Sequence, residues 1–161
     1  NYSVAMNYME LVSQAFKSGD LIPIRYTCDG EDISIPLTWS KPKSQPKSFA
    51  VIMDDPDAPM GVFTHWILYN IPPTLTSLPE GIPKQKEVPQ GLQGINDFGE
   101  IGYGGPCPPR THQPHRYFIR LYALDAVLDI KGGARINDVK NAMNNHIIET
   151  AELMGRYGRK K

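Results

Sequence analysis

The sequence predicts a mostly β protein: a largely antiparallel core in one domain spanning residues 1–161, with a helix packed on it late in the chain. Three observations point there. Three runs are rich in β-branched and aromatic residues and are bounded by Pro, Gly or Asp. Gly (14) and Pro (15) make up about 18% of the 161 residues, against roughly 12% in ordinary chains, and both interrupt helices. Sustained helical spacing occurs once, near the end.

Taken in order, Leu11–Phe16 and Leu37–Trp39 are short strand candidates. Ser48–Met53, His65–Ile71 and His115–Leu124 are the core strands, and their apolar character is too continuous for one-sided surface strands, so both faces of all three should be largely covered. Pro72–Gly102 is long and rich in turn formers. His115–Leu124 is the longest strand candidate, and Leu128–Ile130 a short one. The helix starts at Asn137 as N-cap, with Asp138 in its first turn. Val139, Met143, Ile147, Ala151 and Met154 form its apolar stripe, and Gly155 its stop. That stripe could meet the core or a second copy, so a homodimer is one expectation. The basic tail from Arg156 to Lys161 is expected to fray.

Composition excludes several functions. Lys plus Arg is 17 and Asp plus Glu is 17, a net charge of zero. Nucleic-acid affinity draws on an excess of Lys and Arg, which is missing here. No stretch approaches 18 apolar residues, so no membrane insertion is expected. No basic segment precedes an apolar block at the N-terminus, and the expected location is cytoplasmic. The G-x-S-x-G elbow, the Walker loop, H-E-x-x-H and a strand-linked G-x-G-x-x-G are all missing. No cofactor is implied. The two cysteines, Cys28 and Cys107, are too few for a disulfide scaffold or an all-Cys zinc site. They form one bridge or stand as two buried thiols.

Polar residues gather in three places. Asp54-Asp55-Pro56-Asp57-Ala58-Pro59 follows an apolar strand, with its carboxylates on a corner stiffened by two prolines. Taken alone, it reads first as an ordinary turn, since Asp and Pro are turn formers. Thr64-His65-Trp66 starts the next strand, where a histidine can be packed or functional. Gly102-Tyr103-Gly104-Gly105-Pro106-Cys107-Pro108-Pro109 leads to His115-Arg116-Tyr117. Glycines there allow close backbone approach to a ligand, or simply make an irregular loop. If the three core strands are antiparallel neighbours, the three clusters meet at one rim of the sheet. That rim carries Asp55, Asp57, His65, His115, Tyr117 and the Gly/Pro loop.

With these motifs in hand, the chain resembles the phosphatidylethanolamine-binding protein family, also called the Raf kinase inhibitor protein family, in its shorter bacterial and archaeal branch. The likeness rests on D-P-D-A-P at 55–59 with H-W at 65–66, and on G-P-C-P-P at 105–109 with H-R-Y at 115–117. Tyr26-Thr27-Cys28-Asp29-Gly30, Pro36-Leu37-Thr38-Trp39, Gly94-Ile95-Asn96-Asp97-Phe98 and Tyr122-Ala123-Leu124-Asp125 extend it over a core of about residues 11–157. The resemblance implies two antiparallel sheets with peripheral helices and a small pocket for phosphate-like anions or phospho-headgroups. It assigns to that pocket Asp55, Asp57, His65, Pro109, His115 and Tyr117, with Gly105, Pro106, Cys107 and Pro108 at the rim. It also places both cysteines in family motifs, and a Cys28–Cys107 disulfide is expected on that basis.

Carboxylates in an anion pocket make sense if they hold histidines. Asp55 or Asp57 would accept from one ring nitrogen of His65 or His115 and favour the imidazolium, so that binding strengthens at mildly acid pH. His112-x-x-His115 with Cys107 offers a metal alternative, but no metal is expected, because the resemblance gives His115 to the anion pocket. Thr111-His112-Gln113 stands where the branch usually has glycines. A stiffer loop is expected there, with His112 narrowing or extending the pocket mouth. By resemblance the protein is a non-catalytic regulator that inhibits other proteins, serine proteases favoured over kinases. The alternatives are a phospho-ligand or lipid-headgroup binder without inhibitory activity, and, behind both, a hydrolase.

Overall fold

The computed structural model describes residues 8–160; the glycosylation sequon Asn1-Tyr2-Ser3 lies outside them. The three apolar runs form adjacent strands β3 (Ser48–Asp55), β4 (Phe63–Ile71) and β8 (His115–Leu124). β3 lies between the other two and is antiparallel to both. Each run therefore gains partners on its polar backbone while its side chains enter two cores.

Those cores lie on opposite faces of a six-stranded sheet ordered β6 (Glu87–Val88), β7 (Gly91–Gln93), β4, β3, β8 and β9 (Ile147–Tyr157). On one face Phe49, Val51 and Met53 of β3 meet Leu11, Leu37, Trp39 and Leu78. These come from a three-stranded sheet of β1 (Leu11–Val12), β2 (Leu37–Trp39) and β5 (Ser77–Leu78). On the other face Ala50 and Ile52 pack with Val139 and Met143 of helix α1 (Ile136–Met143). All eight residues of β3 are buried, which is why this run shows no polar alternation. Every strand pair in both sheets is antiparallel.

Several boundaries differ from the sequence expectation. Leu11–Phe16 is a strand only at Leu11–Val12. Leu128–Ile130 is not a strand, although Leu128 is buried beside α1. Pro72–Gly102 contains β5, β6 (Glu87–Val88) and β7 (Gly91–Gln93), pieces too short to show periodicity. The larger correction concerns the last helix. It spans eight residues, with Arg135 at its N-cap position rather than Asn137, and the stretch from Ile147 to Tyr157 is strand β9. Asn145 takes a left-handed conformation, φ 69°, which asparagine tolerates better than most residues. The chain then turns back along β8, pairing from Leu124↔Ile147 to His115↔Tyr157.

The helical spacing of Ile147, Ala151 and Met154 thus coincided with a period-two pattern. Ala151, Leu153, Gly155 and Tyr157 are buried, while Glu152 and Arg156 are exposed. Gly155 is no helix stop. A Cβ there would lie 2.5 Å from Ile22 Cγ1 and 2.7 Å from Phe16 Cε2, so glycine lets the entry loop pack onto β9. Of the expected stripe, Val139 and Met143 face the sheet from the helix, whereas Ile147, Ala151 and Met154 lie on β9, with Ile147 exposed. The basic tail is also tied down through residue 160. Arg159 pairs with Asp29 at 2.9 Å, and Arg110 donates to the carbonyl of Lys160.

Candidate functional site

The end of β3 and the starts of β4 and β8 converge at one rim, because antiparallel pairing sets each strand's end beside its neighbours' beginnings. Local irregularity then aims the side chains. In the β3–β4 register Met53 pairs with Trp66 and Asp54 with Thr64. His65 is therefore an extra residue on β4, a β-bulge of the kind that redirects a side chain. On β8, His115 and Tyr117 share a face by simple alternation, and both are buried.

The three carboxylates of the corner go to three destinations. Asp54 points to the helix face, 3.5 Å from Arg120, and burial raises its proton affinity. Asp55 is buried at the rim. Its Oδ2 accepts from His115 Nδ1 at 2.6 Å and its Oδ1 accepts the Asp57 backbone N–H at 2.7 Å. Asp57 supports neither histidine: Arg116 holds it in a two-pronged pair, at 2.8 and 3.0 Å. Those Arg116 hydrogen bonds hold the Asp57 carboxyl down at about 2. Of the expected Asp–His pairings, Asp55–His115 is the one that forms.

His65 is held by backbone instead. Its Nδ1 lies 2.6 Å from the Gly104 carbonyl, and the Gly104 N–H donates to the His65 carbonyl at 2.9 Å. The imidazole is 3% exposed and ringed by Phe63, Phe98 and Tyr117, with centroids 4.9–5.4 Å away. Burial is the largest influence on it and pushes its pKa below the ordinary histidine value. His65 is thus not the half-charged group expected from sequence.

The loop opposite is stiff through external ties as much as through its prolines. Tyr103 donates to the Tyr26 carbonyl at 2.7 Å, Gly105 N–H to Asp32 at 2.7 Å, and Cys28 N–H to the Pro106 carbonyl at 3.1 Å. Cys28 and Cys107 form a disulfide, with Cα atoms 5.4 Å apart. Gly104 needs to be glycine because the Phe98 ring lies 2.5 Å from where its Cβ would be. Phe98 is itself set by Asn96, whose side chain accepts the Phe98 N–H at 2.9 Å, and by Asp97, which accepts the Thr64 N–H at 2.7 Å.

Together these elements enclose a cavity of about 220 Å³, small beside sites for drug-sized ligands of roughly 300–1,000 Å³. Asp55, His65, Cys107, Pro108, Pro109, His115 and Tyr117 line it as the sequence suggested. Gly105 and Pro106 are buried in the wall behind, and Asp57 lies outside with Arg116. Ala58, Pro59, Phe63 and Phe98 also line it and were missed as pocket residues. Phe63 could have been read from its two-residue offset to His65, and Phe98 from the N-D-F motif. One buried polar atom of the lining is left over. The Tyr117 hydroxyl, on a residue with 0% exposure, has no hydrogen-bond partner. Burial, reinforced by the Asp55 charge, drives its pKa far up. At the mouth, His112 Nδ1 sits 2.9 Å from His115 Nε2, so the loop that replaces the expected glycines closes on the site.

Two antiparallel sheets with a stiff, half-aromatic polar pocket at one sheet rim are the architecture that the motifs led us to expect. Comparison with known families makes this specific: a family model described as phosphatidylethanolamine-binding protein matches residues 12–158, and the chain belongs to that family. Relatives named only as UPF0098 proteins include one from Pyrococcus horikoshii, 52% identical over 152 residues, covering 92% of this chain and 76% of the relative. Another, from Methanothermobacter thermautotrophicus, is also 52% identical and covers 94% and 99%. Among solved structures, the phosphatidylethanolamine-binding protein homolog CT736 of Chlamydia trachomatis superposes with a TM-score of 0.86 at 43% identity, covering 96% and 99%. E. coli YbcL, described as a member of the mammalian family, gives 0.87 at 34% identity, covering 94% and 99%.

Proposed function

We propose that the protein is a non-catalytic binding protein whose rim pocket takes a small oxyanion of the phosphate type. The observation that carries this reading is the Tyr117 hydroxyl, fully buried yet without a partner in the protein. A buried hydroxyl without a partner costs roughly 1–3 kcal/mol, and a small shift of the ring would bring it to a ligand oxygen in the cavity that Tyr117 lines. Asp55 turns its two oxygens to His115 Nδ1 at 2.6 Å and the Asp57 N–H at 2.7 Å. A role without turnover is supported by the lining, whose one hydroxyl, on Tyr117, is fully buried and holds its proton strongly. Cys107, its sulfur, is bonded to Cys28.

The test is calorimetric titration with inorganic phosphate on the native protein and on His115→Asn. The asparagine amide can still donate to Asp55 while the ring nitrogen that meets His112 at the pocket mouth is lost. Saturable one-site binding that weakens at least ten-fold in the variant supports the reading. Absence of saturable binding to the native protein defeats it.

Inhibition of a serine protease is a second reading, favoured by one feature. The β3–β4 loop is stiffened by Pro56 and Pro59 and presents Met60 at 99% exposure. The loop is closed by a Gly61 N–H to Ala58 carbonyl bond, so it would engage a partner as a knob rather than an extended strand. Residual activity of trypsin-, chymotrypsin- and elastase-type proteases, with Met60→Asp as the control, tests it independently of the pocket.

A further inference from the structure

We propose that His112 is a built-in cap on His115 that a proton removes: it occupies the outward ring nitrogen of His115 at neutral pH and releases it in mild acid. The cap is a property of the free protein, and only its effect on a ligand rests on the oxyanion reading above.

The loop before β8 delivers the cap. The His112 N–H donates to the Pro109 carbonyl at 3.1 Å and closes a turn. Arg110 reaches the other way, to the Lys160 carbonyl at 2.8 Å. The His112 ring is thereby set beside that of His115, with centroids 5.2 Å apart. His115 is 3% exposed, whereas His112 is open to solvent. His115 Nδ1 is spent on Asp55 at 2.6 Å, and the nitrogen left over, Nε2, meets His112 Nδ1 at 2.9 Å. With glycine at position 112, Nε2 would have no partner among the described residues.

Counting hydrogens makes this contact conditional. A carboxylate only accepts, so His115 carries a hydrogen on Nδ1. The two nitrogens that face each other need one hydrogen between them. That is met when both rings are neutral and His112 donates, and it is still met when the pair holds one added proton. A second added proton puts a hydrogen on each facing nitrogen. Neither can then accept, and two positive charges stand side by side.

The groups around the pair match one positive charge rather than two. Asp55 faces it from β3. Asp57, on the corner after β3, is matched by Arg116 of β8 at 2.8 Å. His65 faces it from β4 with a hydrogen turned to the Gly104 carbonyl at 2.6 Å, and burial disfavours its charge. Burial also keeps the protons on Tyr117 and on Tyr157, which pairs with His115 from β9. Beyond β9, Arg159 is matched by Asp29 at 2.9 Å, while Arg110 and Lys160 add positive charge. Asp55 is thus the one carboxylate not already matched by a cation. Histidine changes charge between about pH 5 and 8, so the second proton arrives in mild acid. The rings then part, His112 moves into the solvent it already meets, and the His115 Nε2–H is left free at the pocket mouth.

The experiment compares the native protein with His112→Ala at about pH 7.5 and about pH 5.5, on either side of the ordinary histidine value. In the free native protein, ¹⁵N spectra should show a scalar coupling across the N–H···N bond from His112 Nδ1 to His115 Nε2 at the higher pH and none at the lower. Calorimetric titration with inorganic phosphate at fixed ionic strength reads the consequence. At the higher pH the variant should bind about three- to ten-fold tighter than the native protein, the worth of one competing hydrogen bond, and at the lower pH the gap should close. A coupling present at both pH values, or at neither, overturns the cap. A variant that binds no tighter than the native protein at the higher pH, or a gap that persists at the lower, overturns it as well. Phosphate bound by neither protein defeats the oxyanion reading alone, and the coupling then decides the cap by itself.

Discussion

Tyr117→Phe should separate stability from binding. The hydroxyl is fully buried and unpaired, and desolvating such a group costs roughly 1–3 kcal/mol. Removing one oxygen from a ring otherwise held by packing leaves no new apolar cavity. The variant should therefore be more stable than the native protein, by about 1 kcal/mol after the hydroxyl's weaker polar contacts are discounted. For the ligand the sign reverses. A hydrogen bond to a charged acceptor is worth about 1.5–3 kcal/mol, so phosphate affinity should fall about 10- to 150-fold. Urea unfolding monitored by the tryptophans, with an unchanged slope, reads the first quantity, and calorimetric titration reads the second. The Asp55 carboxylate is close enough to help keep the phenol protonated, yet the hydroxyl makes no hydrogen bond to it. If the variant is destabilised by 1 kcal/mol or more and binds phosphate unchanged, the hydroxyl belongs to Asp55. The reasoning that gives it to a ligand would then fail.

Other expectations follow from the same geometry. Replacing Cys28 and Cys107 together by Ser opens a bridge across 79 residues, and chain entropy puts the loss at about 4 kcal/mol; urea midpoints with and without dithiothreitol check it, the native protein falling to the variant's midpoint on reduction. Gly155→Ala forces a methyl within 2.5 Å of Ile22 and 2.7 Å of Phe16 and should cost about 1–3 kcal/mol as overpacking, read as a lowered thermal midpoint. Asp57 titrates near 2 in the folded protein, below its ordinary 3.8. Its stabilisation is complete above about pH 4 and is lost as the pH falls toward 2. Asp57→Asn should flatten that part of the acid limb in urea midpoints measured from pH 2 to 5, by a modest amount because Arg116 is half exposed.

What could be read in the sequence was whatever declares itself through continuous burial or through a motif. β3 and β4 are legible because both their faces are covered, so those runs have no ambiguous period; β8, expected to be covered on both faces, instead alternates buried His115, Tyr117, Ile119 and Leu121 with exposed Arg116 and half-buried Phe118, Arg120 and Tyr122. The last third was misread for the complementary reason. In Ile147–Tyr157 one face meets the core and the other meets solvent, and glycine fills a buried position where a larger side chain would clash. The buried set is then Ala151, Leu153, Gly155 and Tyr157, whose period is hidden once Gly155 is taken as a stop signal. Only the pairing with β8 decides between the two readings, and that is a tertiary fact.

The site divides along the same line. Residue types and rim position were visible, because strand ends gather charges and stiff loops. The partners were not. Asp55 and Asp57 are two residues apart and chemically alike, yet one orients an imidazole and the other is consumed by Arg116. The divergence arises because Asp55 still belongs to β3, facing His115, while Asp57 lies beyond the Asx turn that Asp55 Oδ1 closes on the Asp57 N–H. His65 carries the argument furthest. The inserted residue that swings it to the rim shows only in the register Met53↔Trp66, Asp54↔Thr64. Its protonation is set by a carbonyl 39 residues away. A pocket's residue list is therefore a statement about sequence, whereas its donor–acceptor pattern, on which ligand choice depends, is a property of backbone placed by the fold.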